Sequence, residues 1–360
     1  KLAKQLRRRA TALDEGGIDW GQAEALAFAS LLVEGIPIRI TGQDTERGTF
    51  SHRHAVLHDT RTGAVYVPMR NLDDATASFE IHNSPLSEYA ALGFEYGYSV
   101  AASGTLVLWE AQFGDFVNGA QIITDQFMVS GLSKWRQSSR LTLLLPHGYE
   151  GNGPEHSSAK LERFLQLAAQ ENIRIASPTT AAQYFHLLRR QALDPAARPL
   201  VVMTPKGLLR LKGATSTLAD LADGEFGPVL DDPGAQRDRV RRLVLCSGKV
   251  YYDIAGHEER ASAPHVAIAR VEQLYPFPVE AARELVASYP VLDEVVWAQE
   301  EPQNMGAWRS IRHRLEEASA GVPVRFVGRP WRASPSEGYP TAHLRQQDRI
   351  VREALGAVAA

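Results

Sequence analysis

The sequence predicts an α/β protein of two domains, each with helices packed on both faces of a mostly parallel β-sheet. The length of 360 residues suits two domains. Apolar runs of strand length alternate with segments whose apolar residues recur at helical spacing. Between Pro205 and Arg239 this periodicity weakens while Gly, Pro and Asp accumulate. We therefore expect a first domain over residues 1–210, a linker over 211–240 and a smaller second domain over 241–360.

The first domain is expected to contain a helix over Trp20–Val33, because Asp19 can cap its first amides and Gly35 can end it. A second helix is expected from Ser87, where small and apolar residues recur at helical spacing. A third helix follows a glycine-rich loop and presents Leu161 and Phe164 on one face. The strands expected between these helices cover residues 36–40, 64–67, 105–109, 141–145 and 173–176.

The second domain repeats the alternation, with strands expected at 243–246, 265–271 and 294–297 and a helix beginning near Val279. In sheets of this kind, functional groups gather at the carboxyl ends of the parallel strands. We therefore expect functional residues at the carboxyl ends of the predicted strands.

Composition excludes several classes of function. A net charge of −3 gives no basic field for a nucleic-acid backbone. Cys246 is the only cysteine, which rules out an intrachain disulfide and a multi-cysteine metal cluster and fits a reducing compartment. No apolar run reaches the roughly 18 to 20 residues that cross a bilayer. Neither the P-loop pattern nor G-x-G-x-x-G occurs, which disfavours a kinase or a simple Rossmann dehydrogenase.

Two of the candidate groups lie in helical or turn segments. Glu88, in NSPLSEYAALGFEYGYS, falls in the first turn of a helix, where a carboxylate ordinarily only complements the helix dipole. Phe113 and Phe116, in EAQFGDFVNGAQIITDQF, lie three residues apart and share one side, as core aromatics usually do. Residue pattern alone leaves both readings open for each group.

Two further groups are rich in histidine. The glycine-rich loop HGYEGNGPEHSS contains His147 and His156 and leads into a helix, so it can make a simple turn or serve acid-base chemistry and anion contact. The segment SHRH contains His52 and is followed by His58. Without a cysteine or carboxylate cluster beside it, we favour hydrogen bonding and anion recognition there over metal ligation.

Several long strings, in order, resemble the decarboxylating component of the 2-oxoglutarate dehydrogenase complex, a transketolase-like family. They are TGQDTERGTFSHRH, NSPLSEYAALGFEYGYS, LPHGYEGNGPEHSSAKLERFLQ, VVWAQEEPQNMGAW and GRPWRASPSEGYPTAH. The resemblance spans nearly the whole chain. It implies a transketolase-like pyrimidine-binding domain followed by a smaller transketolase C-terminal-like domain.

The resemblance also implies roles for single residues. Glu88 matches the glutamate that hydrogen-bonds the pyrimidine ring of thiamine diphosphate and promotes activation of the cofactor. Gln112, Phe113 and Phe116 match the segment that packs on that ring. His156 matches an active-site histidine that contacts substrate and transfers protons, and His147 and His52 are weaker candidates for the same cleft.

The implied activity is decarboxylation of 2-oxoglutarate and transfer of the succinyl unit to a lipoyl group on a succinyltransferase, in the tricarboxylic acid cycle. The family holds the diphosphate of the cofactor through Mg²⁺ with a Gly-Asp-Gly motif, which is absent here, so we expect no metal ligands in this chain. A preceding domain, in the same or another chain, is expected to supply that half, and a second enzyme copy to complete a homodimer. The start at Lys1 suggests a fragment, inactive alone, of a cytoplasmic or mitochondrial-matrix enzyme.

Three alternatives stay open. One is a related enzyme that acts on another 2-oxo acid, such as 2-oxoadipate, or a carboligase, and another is the pyrimidine-binding subunit of a two-chain pyruvate or branched-chain 2-oxo acid dehydrogenase. A non-catalytic assembly or effector-binding module would keep the fold without the chemistry. Some relatives bind a nucleotide or acyl-CoA effector near HLLRRQALDPAARPL, where Arg190 and Arg198, with Lys206 nearby, are candidates, although solvated arginines are the simpler reading.

Overall fold

Two β-sheets with helices packed against them organise the protein, as seen in a computed structural model that describes residues 2–356. The helices, in chain order, are α1 (Leu2–Glu15), α2 (Trp20–Val33), α3 (Glu88–Ala101), α4 (Gln121–Ile123), α5 (Gly131–Trp135), α6 (Leu161–Leu167), α7 (Ala181–Leu193), α8 (Leu218–Ala222), α9 (Val250–Ala255), α10 (Val279–Ala287), α11 (Trp308–Ala318) and α12 (Pro340–Ala354). None of these helices has the combined length and apolar character needed to cross a membrane.

The strands alternate with the helices along much of the chain. In order they are β1 (Ile38–Gly42), β2 (Leu57–His58), β3 (Val65–Tyr66), β4 (Phe79–Asn83), β5 (Leu106–Glu110), β6 (Thr142–Pro146), β7 (Arg174–Ala176), β8 (Leu200–Thr204), β9 (Val229–Leu230), β10 (Arg242–Cys246), β11 (Val266–Val271), β12 (Gln273–Tyr275), β13 (Glu294–Pro302) and β14 (Val324–Arg329).

The larger sheet has the strand order β12-β7-β8-β6-β5-β1-β4 and is parallel except for β12. Both of its faces are buried. Val107 and Trp109 of β5 point into one apolar core, and Leu106 and Leu108 point into the other. This double burial explains why the central strands β5, β6 and β8 read as nearly continuous apolar runs.

The smaller sheet has the order β14-β13-β10-β11-β9, with only β9 antiparallel to its neighbour. Its two faces are likewise covered, because α10 and α11 pack on one side and α9 and α12 on the other. The predicted class, a two-sheet α/β protein with mostly parallel strands, is therefore confirmed.

The two halves of the chain are joined by more than the linker. Strand β12 follows β11 in sequence but pairs with β7 of the larger sheet. Helix α6 packs on α11, and Phe164 and Trp308 belong to one continuous apolar core. The carboxyl ends of the central strands of both sheets consequently face the same inter-half region, where His147 meets Glu301.

Most expected elements form within one or two residues of the predicted bounds. Helix α2 has the expected bounds, and the Asp19 side chain accepts a hydrogen bond from the Gln22 amide. The segment 64–67 forms only the short strand β3, in a two-stranded hairpin with β2 outside the main sheets. Strands β4, β8 and β12, which complete the larger sheet, and helix α7 were not anticipated.

Candidate active site

The carboxyl edge of the larger sheet gathers residues that are far apart in sequence. Gln43 follows β1, Glu88 opens α3 shortly after β4, and Phe113 follows β5. These strands are neighbours in the order β5-β1-β4. The register therefore brings the three segments to one place, as expected for a parallel sheet.

Glu88 is the first residue of α3, which Ser87 caps by accepting a hydrogen bond from the Ala90 amide. The carboxylate is half-buried, and its Oε1 accepts a hydrogen bond of 2.9 Å from the Gln43 side chain. A Cβ atom at Gly119 would lie 3.3 Å from Oε2, so this oxygen faces the segment after Phe116. The Gln43 contact orients the carboxylate and leaves Oε2 available to a ligand.

Phe113, Phe116 and His156 form an aromatic cluster at the same edge. The ring centroids of Phe113 and His156 are 4.4 Å apart, and those of Phe116 and His156 are 6.0 Å apart. The two phenylalanines are also 6.0 Å apart, and Phe50 contacts Phe113 edge-on at 5.6 Å. The sequence indicates Phe113 and Phe116 as one group and His156 as another, and the fold places all three in one cluster.

Gln112 connects two loops of the site. Its Nε2 donates to Asp44 at 2.9 Å, and its Oε1 accepts a hydrogen bond of 3.3 Å from Thr49. The polar loop after β1 is thereby tied to the segment that carries Phe113. Both ends of the Gln112 side chain have protein partners, so its contact with a cofactor stays a prediction.

Residues 153–160, which we call the His156 loop, are held by buried polar groups. Asp115 Oδ2 accepts hydrogen bonds from the amides of Ser157 and Ser158, at 3.3 and 3.0 Å. Lys206 Nζ donates to the His156 carbonyl at 2.6 Å, and burial lowers the pKa of this lysine. Lys206, considered above beside the candidate effector arginines, thus serves the His156 loop.

Gly114 allows the aromatic segment to approach this loop closely. A Cβ atom at Gly114 would lie 2.5 Å from the Ala159 Cβ and 2.6 Å from the Pro146 carbonyl oxygen. Such contacts are shorter than packed atoms tolerate, so a side chain here would force Phe113 and the His156 loop apart. The local sequence FGD is therefore required by the packing of the site.

His147 lies directly after β6 between the two halves of the chain. Its Nε2 is 2.8 Å from Glu301 Oε1, and its Nδ1 accepts a 3.0 Å hydrogen bond from the Ala159 amide. Burial opposes a charge on the ring, but the Glu301 carboxylate outweighs this effect and raises the pKa of His147. With both nitrogens engaged, His147 is placed to support the site, and its predicted substrate contact remains a prediction.

His52 lies beside a buried ionic cluster. The Arg53 guanidinium donates to both Glu24 and Glu110, and Tyr184 donates to Glu24. His52 Nε2 is 3.8 Å from Glu110, while burial and then the Arg53 charge lower the pKa of His52 to about 4. The ring is therefore neutral at pH 7.

His58, which follows this segment, is peripheral to the site. It is exposed and lies 3.5 Å from Glu46.

Among residues 2–356, no three His, Cys, Asp or Glu side chains are grouped in a way that could hold a metal ion.

The candidate effector arginines have internal partners. Arg190 donates to Gln273 at 2.7 Å and its guanidinium lies 4.2 Å from the Phe226 ring centroid. Burial and then the charge of Arg174 lower the pKa of Arg190 to about 10. Arg198 donates to the Glu171 and Ala197 carbonyls. Arg190 thus connects α7 to β12, and Arg198 connects the turn after α7 to Glu171, while effector binding there stays a prediction.

Five residues of the site were not assigned to it from the sequence. Gln43 and Phe50 stood inside a quoted string but carried no separate signal. Asp115 lies between the two phenylalanines, where an isolated carboxylate in an aromatic segment is the available clue. The remaining two, Lys206 and Glu301, lie 50 and 154 residues from their partners along the chain.

Comparison with known families decides which fold family is present. Residues 16–212 match the family described as transketolase, pyrimidine binding domain. The chain belongs to this family. Residues 215–355 match the family described as 2-oxoglutarate dehydrogenase C-terminal. The predicted resemblance is confirmed, and the order of the two domains is the expected one.

Curated relatives extend this result. The chain is 54% identical to the 2-oxoglutarate dehydrogenase E1 component of Bacillus subtilis, 53% identical to that of Geobacillus kaustophilus and 52% identical to that of Exiguobacterium sp.. Each comparison covers 99% of this chain. The chain spans only 38 to 39% of the length of these relatives.

Proposed function

We propose that this chain forms the pyrimidine-binding half of the active site of a thiamine-diphosphate-dependent 2-oxoglutarate dehydrogenase (succinyl-transferring). The observation that carries the proposal is the grouping of Glu88, Phe113, Phe116 and His156 at one sheet edge. The printed names of the relatives support 2-oxoglutarate as the substrate. A 2-oxoadipate, pyruvate or branched-chain enzyme and a non-catalytic module are the alternatives.

The residues present fit an aminopyrimidine ring. Glu88 offers a half-buried carboxylate oxygen that can bind a ring nitrogen, and Gln43 keeps that carboxylate oriented. Phe113 and Phe116 offer apolar ring surface to the heterocycle. Bound thiamine diphosphate supplies the electron sink for the loss of carbon dioxide from a 2-oxo acid.

Glu88 would act by sharing a proton with the ring. A carboxylate can hold or return a proton at Oε2, whereas an amide in the same place could bind the ring but not exchange protons with it. His156 packs against both phenylalanines and lies beside the same cleft. We assign it contact with the substrate and proton transfer, because an imidazole can both donate and accept near neutral pH.

The other half of the site must come from another domain. Metal and diphosphate need oxygen ligands, and residues 2–356 contain no grouped set of carboxylates and histidines for a metal. We infer that a diphosphate-binding domain, of the same or another chain, holds Mg²⁺ and the diphosphate. A lipoyl group on a succinyltransferase would accept the succinyl unit. The bacterial relatives support a cytoplasmic location.

A second copy of the enzyme is the proposed occupant of the exposed apolar surface around α3. Leu86 and Phe94 are 84% and 61% exposed, and a neighbouring cleft of about 590 Å³ is lined by Phe127 and Trp135. Apolar surface of this kind marks an interface. Because Glu88 opens the same helix, a partner seated here would lie beside the available face of its carboxylate.

Substitution of Glu88 tests this function in the complete enzyme. We expect Glu88→Gln and Glu88→Ala to lower 2-oxoglutarate-dependent reduction of an artificial electron acceptor by at least about a hundredfold, the usual size of an acid-base contribution. The measurement includes thiamine diphosphate and Mg²⁺. Glu280→Gln is the control, since Glu280 also lies in the first turn of a helix, α10, but its side chain is 77% exposed.

The outcomes separate the alternatives. Loss of activity in both Glu88 variants but not in Glu280→Gln supports the proposal. Turnover of another 2-oxo acid in place of 2-oxoglutarate would change the substrate but keep the site. Wild-type activity in Glu88→Ala would leave the non-catalytic module as the better reading.

A further inference from the structure

His147 is held in one tautomer by groups from the two halves of the chain. Nε2 lies 2.8 Å from the Glu301 carboxylate, so it carries the proton in the neutral ring. Nδ1 accepts the Ala159 N–H at 3.0 Å, so it must keep its lone pair. The side chains of His147 and Glu301 are only 11% and 10% exposed, so water does not readily replace either partner.

Ala159 belongs to the His156 loop and packs against Gly114 of the aromatic segment. The loop is also fixed at Ser157, whose carbonyl accepts a hydrogen bond from the Gly148 amide at 2.9 Å. Gly148 directly follows His147. The position of the His156 loop therefore depends on His147 through both its ring and the adjoining backbone.

We propose that Glu301 is a positioning residue for the His156 loop and acts on it through His147. Glu301 lies near the end of β13, in the second half of the chain, and its side chain is linked to the His156 loop by way of the imidazole. The kinetic consequence rests on the proposed function, in which His156 contacts substrate. The structural consequence, a fixed His156 loop, does not.

Loss of the Glu301 carboxylate has a definite effect on the ring. Without an acceptor at Nε2, the tautomer with its proton on Nδ1 becomes competitive, and that tautomer presents a donor to the Ala159 N–H. The Ala159 amide then has no acceptor in the His147 ring. A glutamine at position 301 can still accept from Nε2 through its amide oxygen, so it should preserve the tautomer.

Protonation of His147 breaks the same contact. The imidazolium carries protons on both nitrogens, so Nδ1 faces the Ala159 N–H as a second donor. As the pH falls through the raised pKa of His147, the ring becomes charged. The ion pair between His147 and Glu301 then strengthens, while the hydrogen bond from the Ala159 amide to Nδ1 is lost. The other charged groups that face this site from the surrounding elements are Asp115, Glu150, Lys206, Lys249 and Glu300.

Hydrogen exchange tests the structural part. In the complete enzyme at pH 7.5, we expect Glu301→Ala to raise the exchange rate of the Ala159 amide by about tenfold, the factor expected for one net hydrogen bond. Glu301→Gln should retain most of the protection. Glu294→Gln, at the other end of β13 and paired with Arg242, is the matched control and should leave Ala159 unchanged.

A pH–rate profile tests the kinetic part. With 2-oxoglutarate as substrate, the acid limb of kcat/KM should move to lower pH in Glu301→Gln, because the neutral amide no longer raises the pKa of His147. The acid limb of Glu294→Gln should coincide with that of the wild type. A merely structural role for Glu301 would lower activity without moving this limb.

Hydrogen exchange and the pH–rate profile can each contradict a different part of the proposal. If exchange of the Ala159 amide is unchanged in Glu301→Ala, Glu301 does not position the His156 loop through His147, even when 2-oxoglutarate is turned over normally. An unmoved acid limb in active Glu301→Gln overturns its influence on catalysis. If the wild type does not turn over 2-oxoglutarate, the proposed function fails, and the exchange data still decide whether Glu301 holds the His156 loop.

Discussion

At the scale of single residues, His52 shows how the fold sets the charge of a side chain. Its ring is 91% buried by side-chain area, and the neighbouring Arg53 is a permanent cation. Both effects disfavour the imidazolium and lower the pKa of His52 to about 4 from an ordinary value of 6.5. As the pH falls, His52 therefore becomes protonated at a higher pH in the unfolded chain than in the folded chain.

We expect His52 to destabilise the protein in mild acid. Above pH 6.5 the ring is neutral in both states, and between 6.5 and about 4 the free energy of unfolding should fall by up to about 3 kcal/mol from this residue. His52→Asn, which does not titrate, should remove that part of the pH dependence. Urea unfolding at pH 7.5, 5.5 and 4.5 measures it, with exposed His58→Asn as control. Equal pH dependence in wild type and His52→Asn would contradict the assignment.

Sequence reasoning located the residues of the candidate site better than their partners. Glu88 and His156 stood in long strings that resemble a family, and Phe113 and Phe116 lie three residues apart in one segment. The link from Glu301 to His147 had no such signal, because it joins residues 154 positions apart through side-chain geometry alone. Local sequence can indicate which residue types are unusual, but it does not specify which of them meet across two sheets.

At the scale of elements, a buried ion cluster ties α2 to β5 and to the loop after β1. Arg53 bonds to Glu24 of α2 and to Glu110 of β5, and its side chain is 3% exposed. Tyr184 of α7 adds a hydrogen bond to Glu24 and stacks on Trp20 at 4.3 Å. The cluster fixes how the polar loop leaves the larger sheet.

Removal of the Arg53 guanidinium should destabilise the folded protein strongly. Arg53→Ala leaves two buried carboxylates without their partner, and we expect the free energy of unfolding to fall by about 3 to 5 kcal/mol. Arg241→Ala breaks an exposed pair with Asp293 and should cost no more than about 1 kcal/mol. Chemical denaturation of both variants provides the comparison. A similar small effect at both positions would show that water reaches the Arg53 cluster.

The elements that sequence predicted well are those with a complete local signal. Helix α2 has a cap, an apolar body and a terminating glycine in consecutive residues. Strand β4 was missed because FEIHN mixes polar and apolar residues, as an edge strand does. The strand expected over 64–67 forms as β3 but pairs with β2 outside the main sheets, because Val65 and Tyr66 are both exposed and gain no burial from a place in those sheets.

At the scale of the whole molecule, the two halves of the chain share one apolar core and are joined by hydrogen bonds. Leu274, in the middle of β12, is 1% exposed and belongs to the apolar core that also contains Phe164 and Trp308. The Thr179 amide, in the first half, donates to Glu272 in the second half at 2.7 Å. Contacts of this kind couple the stability of one half to that of the other.

We expect a substitution in β12 to destabilise both halves. Leu274→Ala should lower the free energy of unfolding by about 2 to 5 kcal/mol, as for other buried leucines. Hydrogen exchange should accelerate in β1 of the first half and in β10 of the second. Leu344→Ala, at an exposed leucine of α12, should change neither. Faster exchange confined to the second half would show that the halves unfold independently.

The pairing of β12 with β7 also has a consequence for solubility. Without β12, β7 would be the last strand of the larger sheet, with Ile175 and its neighbours offering unpaired amides and carbonyls beside an apolar core. Exposed strand edges of this kind recruit strands from other molecules and lead to aggregation. The second half of the chain thus acts as an edge protector for the first. Expressed alone, residues 16–212 should be prone to self-association through β7.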